Sequence, residues 1–114
     1  MNNEVWKPTV YKYFDGRELD MSGSYMVSNI GRIMNTKTGY MLSIGLKQSP
    51  VGKVENRYQT CGIKGNVLRV HRAVCSAFVD GYRPGYDVDH IDGDIYNNSS
   101  DNLRWICPVE HMSL

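Results

Sequence analysis

The stretch VDHIDGDIYNNSSDNLRW, residues 88–105, decides the fold of this chain. Its beginning, DVDHI at 87–91, can be a strand, and LRWI at 103–106 can be the return strand after a long polar loop. Pro108 then fits the first position of a helix, where its missing N–H costs nothing. His111 lies about one turn further in. The order predicted is strand, loop, strand and helix.

Three side chains in and after this stretch have the chemistry to act on a phosphodiester. Asp89 is a hard oxygen ligand and His111 an imidazole ligand, a pair that suits a hydrated divalent cation. His90 has the pKa range of a general base, and hydrolysis needs a base for water and a metal for the leaving oxygen. Neighbours on an ideal strand point to opposite faces, however, so Asp89 and His90 converge only if the strand end twists or the metal sits at its edge. Periodicity alone therefore does not establish the site.

A helix is predicted immediately before this stretch. In VHRAVCSAFV, residues 70–79, the apolar side chains fall at i, i+3, i+4, i+7 and i+8, which is one helical stripe. Gly81 is a reasonable stop. We predict that this is the core helix and that His71, near its start, is a packing or capping residue.

The residues before the helix read as short strands and hairpins. Residues 1–31 show extended segments broken by turns, with an exposed polar loop from Phe14 to Gly23. Strands that alternate basic with apolar side chains can lay one face on a core and the other on a phosphate backbone. Residues 35–69 read as hairpins with turn candidates at Thr38-Gly39, Pro50-Val51-Gly52 and Gly65-Asn66.

Charge is distributed unevenly along a chain whose net charge is +1. Residues 32–72 carry eight Lys and Arg against Glu55 alone, whereas residues 73–114 carry seven acidic side chains against two Arg. A basic middle joined to an acidic end suits a phosphate-binding surface beside a cation site. Solvated strand faces are the alternative that the sequence leaves open. The candidate DNA contacts are Arg32, Lys47, Lys53, Arg57, Lys64, Arg69 and Arg72.

Composition bounds the class of protein. The 114 residues make one ordinary domain or two very small pieces that share a core, and 41% hydrophobic with 22% charged residues is a globular composition. No apolar run approaches the roughly 20 residues of a membrane span, and the N-terminus lacks a signal-peptide layout, so an intracellular soluble protein is expected. The three cysteines include no pair at zinc-knuckle spacing and are expected to be buried thiols.

The C-terminal string resembles HNH homing endonucleases of the phage and intron type. It is VDHIDGDIYNNSSDNLRW that carries the resemblance, with Asn102 and His111 placed 12 and 21 residues after His90, as in that family. VHRAVCSAF, residues 70–78, is similar to the helix that precedes the motif there. EVWKP and YMVSNIGRIMN, near the N-terminus, resemble the small module that often comes before these nucleases.

The resemblance implies a role for each motif residue. Asp89 corresponds to the metal-binding carboxylate and His111 to the second metal ligand. His90 corresponds to the general base that activates water, and Asn102 to the asparagine that braces the loop and orients the histidine. Asn98 is expected to support the loop. The implied fold is α+β, with a β-rich N-terminal lobe and a ββα-metal finger that holds the ion between hairpin and helix.

The resemblance also implies an activity and its setting. We expect hydrolysis of phosphodiester bonds in double-stranded DNA with one Mg²⁺ or Mn²⁺ ion, leaving 5′-phosphates and 3′-hydroxyls. Residues 1–66 would be the DNA-binding module and residues 67–114 the nuclease domain. A monomer that needs no protein partner or membrane would nick first, in the cytoplasm of a bacterial or phage-infected host cell.

Two departures and two alternatives accompany this interpretation. Three residues follow His111, so its helix would have at most about two turns, and a helix that short is marginal unless packed. The loop from Phe14 to Gly23 is longer than in the usual N-terminal module. One alternative is a catalytically inactive DNA-binding module of the same fold, and the other is a small interaction domain with zinc on Asp89, His90 and His111. Plasmid nicking with Mg²⁺ added or removed separates the three.

Overall fold

The computed structural model of the chain describes residues 3–46 and 58–108. The turn predicted at Pro50-Val51-Gly52 and the site candidates Lys47, Lys53, Arg57 and His111 lie outside these residues. Within them, ten short strands and one α-helix make an α+β fold, as the sequence predicted. The elements are β1 (Trp6–Lys7), β2 (Val10–Lys12), β3 (Glu18–Asp20), β4 (Tyr25–Ser28), β5 (Ile33–Asn35), β6 (Gly45–Leu46), β7 (Gln59–Ile63), β8 (Asn66–Arg69), α1 (Val70–Phe78), β9 (Asp87–His90), a 3₁₀ turn (Ser100–Asn102) and β10 (Leu103–Ile106).

The strands form four small antiparallel sheets around α1. Their orders are β1-β4-β5, β2-β3, β6-β7-β8 and β9-β10. The polar segment from Phe14 to Gly23, predicted to be a loop, contains β3, which pairs with β2 in the register Tyr11↔Leu19. Leu19 and Met21 turn their apolar side chains inward, and Met21 is fully buried. Two inward residues are too few for sequence periodicity to reveal a strand.

The β7–β8 hairpin turns one residue earlier than predicted. Its two turn residues are Lys64 and Gly65, with φ of 52° and 77°, and Ile63 pairs with Asn66. Positive φ at both positions is the geometry of the two-residue turn whose twist matches a hairpin. Sliding the turn to Gly65-Asn66 would pair Leu68, which is fully buried, with Ile63 instead of Cys61.

Helix α1 is the centre of the core. Val70, Ala73 and Val74 are fully buried, and His71 is buried beside them, which confirms the prediction that it packs. The helix ends at Phe78, where the N–H of Val79 still donates to Cys75. The described residues contain no helix that is both long and apolar enough to cross a membrane.

One hydrophobic cluster joins the two predicted lobes. It includes Tyr11 and Ile33 from the N-terminal part and Leu68, Val88 and Leu103 from the C-terminal part. The β7–β8 hairpin also crosses the predicted division between residues 66 and 67. The two predicted lobes therefore share one core, and the division between them stays a prediction.

The β9–β10 hairpin is the structural frame of the C-terminal motif. His90 pairs with Leu103 and Asp89 with Arg104, and the polar loop between the strands closes through the 3₁₀ turn. Helical backbone begins at Pro108, the last residue that the structure describes. The strand, loop, strand and helix start therefore follow the predicted order.

Candidate active site

Asp89 and His90 leave β9 on opposite faces. His90 points inward with Val88 and is only 7% exposed. Asp89 is half-buried on the outer face, where its Oδ2 accepts a hydrogen bond of 2.9 Å from Nε of Arg104. The strand pairs regularly through His90. The alternation expected of a strand therefore persists at the motif, and any shared site must lie at the edge of the hairpin.

The imidazole of His90 is held by a buried amide. Its Nε2 lies 2.7 Å from Oδ1 of Asn98. The amide nitrogen of Asn98 in turn donates to Oε1 of Gln59, also at 2.7 Å. With its nitrogen engaged there, Asn98 presents its oxygen to His90, and an amide oxygen can only accept. With this contact, a neutral ring would carry its proton on Nε2 and its lone pair on Nδ1.

Three aromatic rings, one of them the imidazole of His90, pack against one another. The rings of Tyr58, His71 and His90 form a triangle, with centroids 4.6 Å apart for Tyr58 and His71, 5.0 Å for His71 and His90, and 5.9 Å for Tyr58 and His90. Burial, together with the neighbouring charges of His90 and Arg69, lowers the pKa of His71 to about 3, so this imidazole stays neutral. The guanidinium of Arg69 covers Tyr58 at 5.2 Å. The stack restricts His90 to one ring plane.

Asn102 braces the loop rather than the ring. Its amide nitrogen donates to Oδ1 of Asp92 and to the carbonyl of Asn97, both at 2.9 Å. Its Oδ1 accepts from the backbone N–H of Asp92 at 3.1 Å. The N–H of Asp94 and the amides of Asn97 and Asn102 lower the pKa of Asp92. Among the described contacts, the one to the imidazole that was expected of Asn102 is made by Asn98.

One predicted DNA contact is wrong. The side chain of Arg72 is only 6% exposed and pairs with Asp87 at 3.7 Å. It donates to the carbonyls of Lys12 and Tyr86 and lies over the ring of Trp105. Because the guanidinium of Arg72 is bound to these groups inside the core, it cannot reach a phosphate.

The other described basic candidates lie at or near the surface. The guanidinium of Arg32 is half-exposed and forms a two-pronged pair with Glu4. Lys64, at the tip of the β7–β8 hairpin, is exposed and donates to the carbonyl of Asp20 at 3.3 Å. Arg69 is half-buried against Tyr58. Three of the predicted DNA contacts therefore lie where a phosphate backbone could reach them.

Sequence reasoning missed two residues next to His90. Tyr58 and Gln59 stand 32 and 31 positions before His90, with Gln59 at the start of β7 and Tyr58 just before it. A lone Gln on a strand carries no local signal, because its partner is fixed only when β7 packs against the motif loop. Asn98 was recognised as a loop residue, but its contact with the imidazole was not.

The described donors fit a metal site in part. No three His, Cys, Asp or Glu side chains come together as ligands within residues 3–46 and 58–108. Asp89 nevertheless offers a partly exposed carboxylate, a hard oxygen donor that suits a divalent cation. Burial raises the pKa of Cys61 to about 11 and that of Cys75 to about 12, so both thiols stay protonated and neither suits zinc.

Comparison with known proteins identifies related sequences. A family model described as HNH endonuclease matches residues 68–112. The DNA endonuclease I-HmuI of Bacillus phage SP01 is 40% identical over 88 residues, which cover 74% of this chain and 47% of that protein. The H-N-H endonuclease F-TflI of Escherichia phage T5 is 33% identical over 90 residues, covering 76% of this chain and 44% of that protein.

A solved structure is similar in fold as well as in sequence. It describes DNA binding and cleavage by the HNH homing endonuclease I-HmuI, and it matches with a TM-score of 0.71 and 32% identity. The match covers 94% of this chain and 55% of the other. The chain thus spans less than half the length of the curated relatives it matches.

Proposed function

Because the chain belongs to the HNH endonuclease family, we propose that it is a homing-type endonuclease that hydrolyses phosphodiester bonds in double-stranded DNA. The observation that carries this proposal is the anchored imidazole of His90, a residue that follows Asp89 in the matched segment. A phage-infected bacterial cell is the setting that the phage relatives favour.

In this proposal His90 is the general base. Asn98 is hydrogen-bonded to Nε2 of His90, which leaves the lone pair of Nδ1 to take a proton from water. The stack on His71 prevents the ring from turning away. Asn102 contributes indirectly, since it closes the loop that carries Asn98.

The metal would be held by Asp89 and His111. HNH endonucleases generally use a divalent ion, and the oxygen donor of Asp89 favours Mg²⁺ or Mn²⁺. Such an ion, when bound, supplies positive charge for the phosphate and the leaving oxygen. Arg104 holds the carboxylate of Asp89 in place at the outer edge of the hairpin.

DNA would be held mainly through its phosphates. Arg32, Lys64 and Arg69 are the described candidates, and Lys47, Lys53 and Arg57 add to them by sequence. Contacts to phosphates position a nuclease without reading bases. A single site in a monomer would cut one strand before the other.

Plasmid digestion tests the proposal. Supercoiled DNA is incubated with the protein and Mg²⁺, and nicked and linear products are followed over time. His90→Ala should lower the rate on the order of 10²- to 10⁴-fold while DNA binding persists. Asp101→Asn, an exposed change in the same loop, is the matched control and should cut at the wild-type rate. Binding without any cleavage by the wild-type protein would instead support the inactive DNA-binding module.

A further inference from the structure

We propose that Gln59 is a positioning residue for His90: through Asn98 it keeps the imidazole proton on Nε2 and the lone pair on Nδ1. The role of His90 as base rests on the proposed function. Gln59 lies on β7, outside residues 68–112 that the family model matches.

The relay consists of two short hydrogen bonds in series. Oε1 of Gln59 accepts from Nδ2 of Asn98 at 2.7 Å, and Oδ1 of Asn98 lies 2.7 Å from Nε2 of His90. Asn98 is only 3% exposed, so water cannot readily replace either partner. The relay therefore decides which end of the Asn98 amide faces the ring.

The direction of this amide matters because its two ends impose opposite tautomers. An amide oxygen facing Nε2 requires a proton on Nε2, whereas an NH₂ group facing Nε2 would require its lone pair. Reversing Asn98 would therefore move the proton of the neutral ring to Nδ1 and remove the lone pair proposed to accept a proton from water. With Oε1 of Gln59 turned towards Asn98, reversal of Asn98 alone would set two amide oxygens 2.7 Å apart, so it would require the amide of Gln59 to reverse as well.

The backbone holds Gln59 in place for this task. Gln59 pairs with Leu46 on β6, and its neighbour Cys61 is buried and pairs with Leu68 on β8. The side chain of Gln59 is half-buried and leaves the central strand of a three-stranded sheet. A residue on a central strand has little freedom to withdraw, so the relay is rigid at its far end.

Nitrogen NMR of the metal-free protein reads the tautomer directly. The ring nitrogens of His90 are assigned in two-bond ¹⁵N–¹H spectra at a pH well above the ordinary imidazole pKa of about 6.5. The wild-type ring should show a protonated Nε2 and an unprotonated Nδ1. A wild-type ring protonated on Nδ1 overturns the proposal, whatever the activity of the protein.

Two substitutions of matched length isolate the acceptor on residue 59. Gln59→Met removes the acceptor and should raise the fraction of His90 protonated on Nδ1. Gln59→Glu keeps an acceptor opposite Asn98 and should retain the wild-type tautomer. Gln59→Ala removes the same acceptor without filling space, and serves if Met disturbs the fold. Identical His90 spectra for a folded acceptor-less variant and the wild type would contradict the relay.

Cleavage kinetics give a second, independent readout. Gln59→Met should lower kcat roughly tenfold, a part of what a positioned base contributes, with KM for DNA unchanged. Gln59→Glu, which keeps the acceptor, should have the wild-type kcat. If the effect of Gln59→Met came only from a disturbed structure, keeping the acceptor would not recover the rate. A wild-type protein that shows the expected tautomer but cuts no DNA would refute the nuclease proposal and leave the relay standing.

Discussion

The buried imidazole of His71 lowers the free energy of unfolding at low pH. Its pKa is about 3 in the folded protein and about 6.5 in an unfolded chain. Between these values the unfolded state binds more protons, so the free energy of unfolding falls as the pH falls from about 6.5 towards 3. The slope from this one group is at most about 1.4 kcal/mol per pH unit.

His71→Phe should remove that part of the pH dependence. Phe keeps a ring packed against Tyr58 and His90 and cannot bind a proton. It also eliminates Nδ1 of His71, which has no hydrogen-bond partner among the described residues. Urea unfolding of both proteins across this pH range measures the difference. Parallel curves for the two proteins would show that His71 is not the group responsible.

Arg69 and Arg72 lie close together in the sequence, but we expect Arg69 to bind DNA and Arg72 to stabilise the fold. Arg72→Met should destabilise the fold by about 2 kcal/mol or more, because it leaves the buried carbonyls of Lys12 and Tyr86 without a donor. Arg69→Gln should weaken DNA binding and change stability little. Thermal unfolding and fluorescence anisotropy on a duplex separate the two effects. Equal loss of stability in both variants would mean that Arg69 is also structural.

At the scale of elements, the β4–β5 turn supports the motif loop. Gly31 has φ of +96°, and a Cβ added there would come within 3.0 Å of Cβ of Asn98. The N–H of Ser100 also donates to the carbonyl of Asn29 in this turn. The turn therefore sets how closely the loop, and the amide that meets His90, can approach the N-terminal part.

Gly31→Ala should lower both stability and cleavage. A side chain at positive φ costs about 1 kcal/mol, and the contact with Asn98 adds displacement of the loop. Gly39→Ala is the matched control, since Gly39 also has positive φ, +76°, but no atom within 4 Å of the added Cβ. Melting temperature and plasmid nicking are compared for both. A Gly39 variant as damaged as the Gly31 variant would assign the whole effect to backbone strain.

Periodicity predicted the elements that are long or strongly patterned. The helix at α1 and the β9–β10 frame follow directly from apolar spacing, and both were predicted within a residue or so. Strand β3 was not predicted, because Glu18 and Asp20 flank a single apolar residue. The contact of Gln59 with Asn98 joins positions 39 residues apart, and only tertiary packing brings them together.

For the whole molecule, the distribution of charge predicts how DNA binding depends on salt. Each phosphate contact by Lys or Arg releases roughly 0.9 of a counterion, so three or four contacts give a slope of log K against log salt of about −3 to −4. Replacing Lys47, Lys53, Arg57 and Lys64 by Gln should flatten this slope and weaken binding to all sequences alike. Anisotropy across a salt series, without metal, measures it. An unchanged slope would indicate that DNA binds elsewhere, on the surface around Lys12 and Arg17.

The shared core has a consequence for anyone who recombines segments of this fold. The motif is recognised within residues 68–112, but Gln59 and Gly31, which lie against the buried Asn98 of its loop, are upstream of that segment. A chimera that transplants only the recognised segment would contain the residues of the motif without the upstream residues that position them. The smallest exchangeable unit in this architecture is therefore larger than the signature by which it is found.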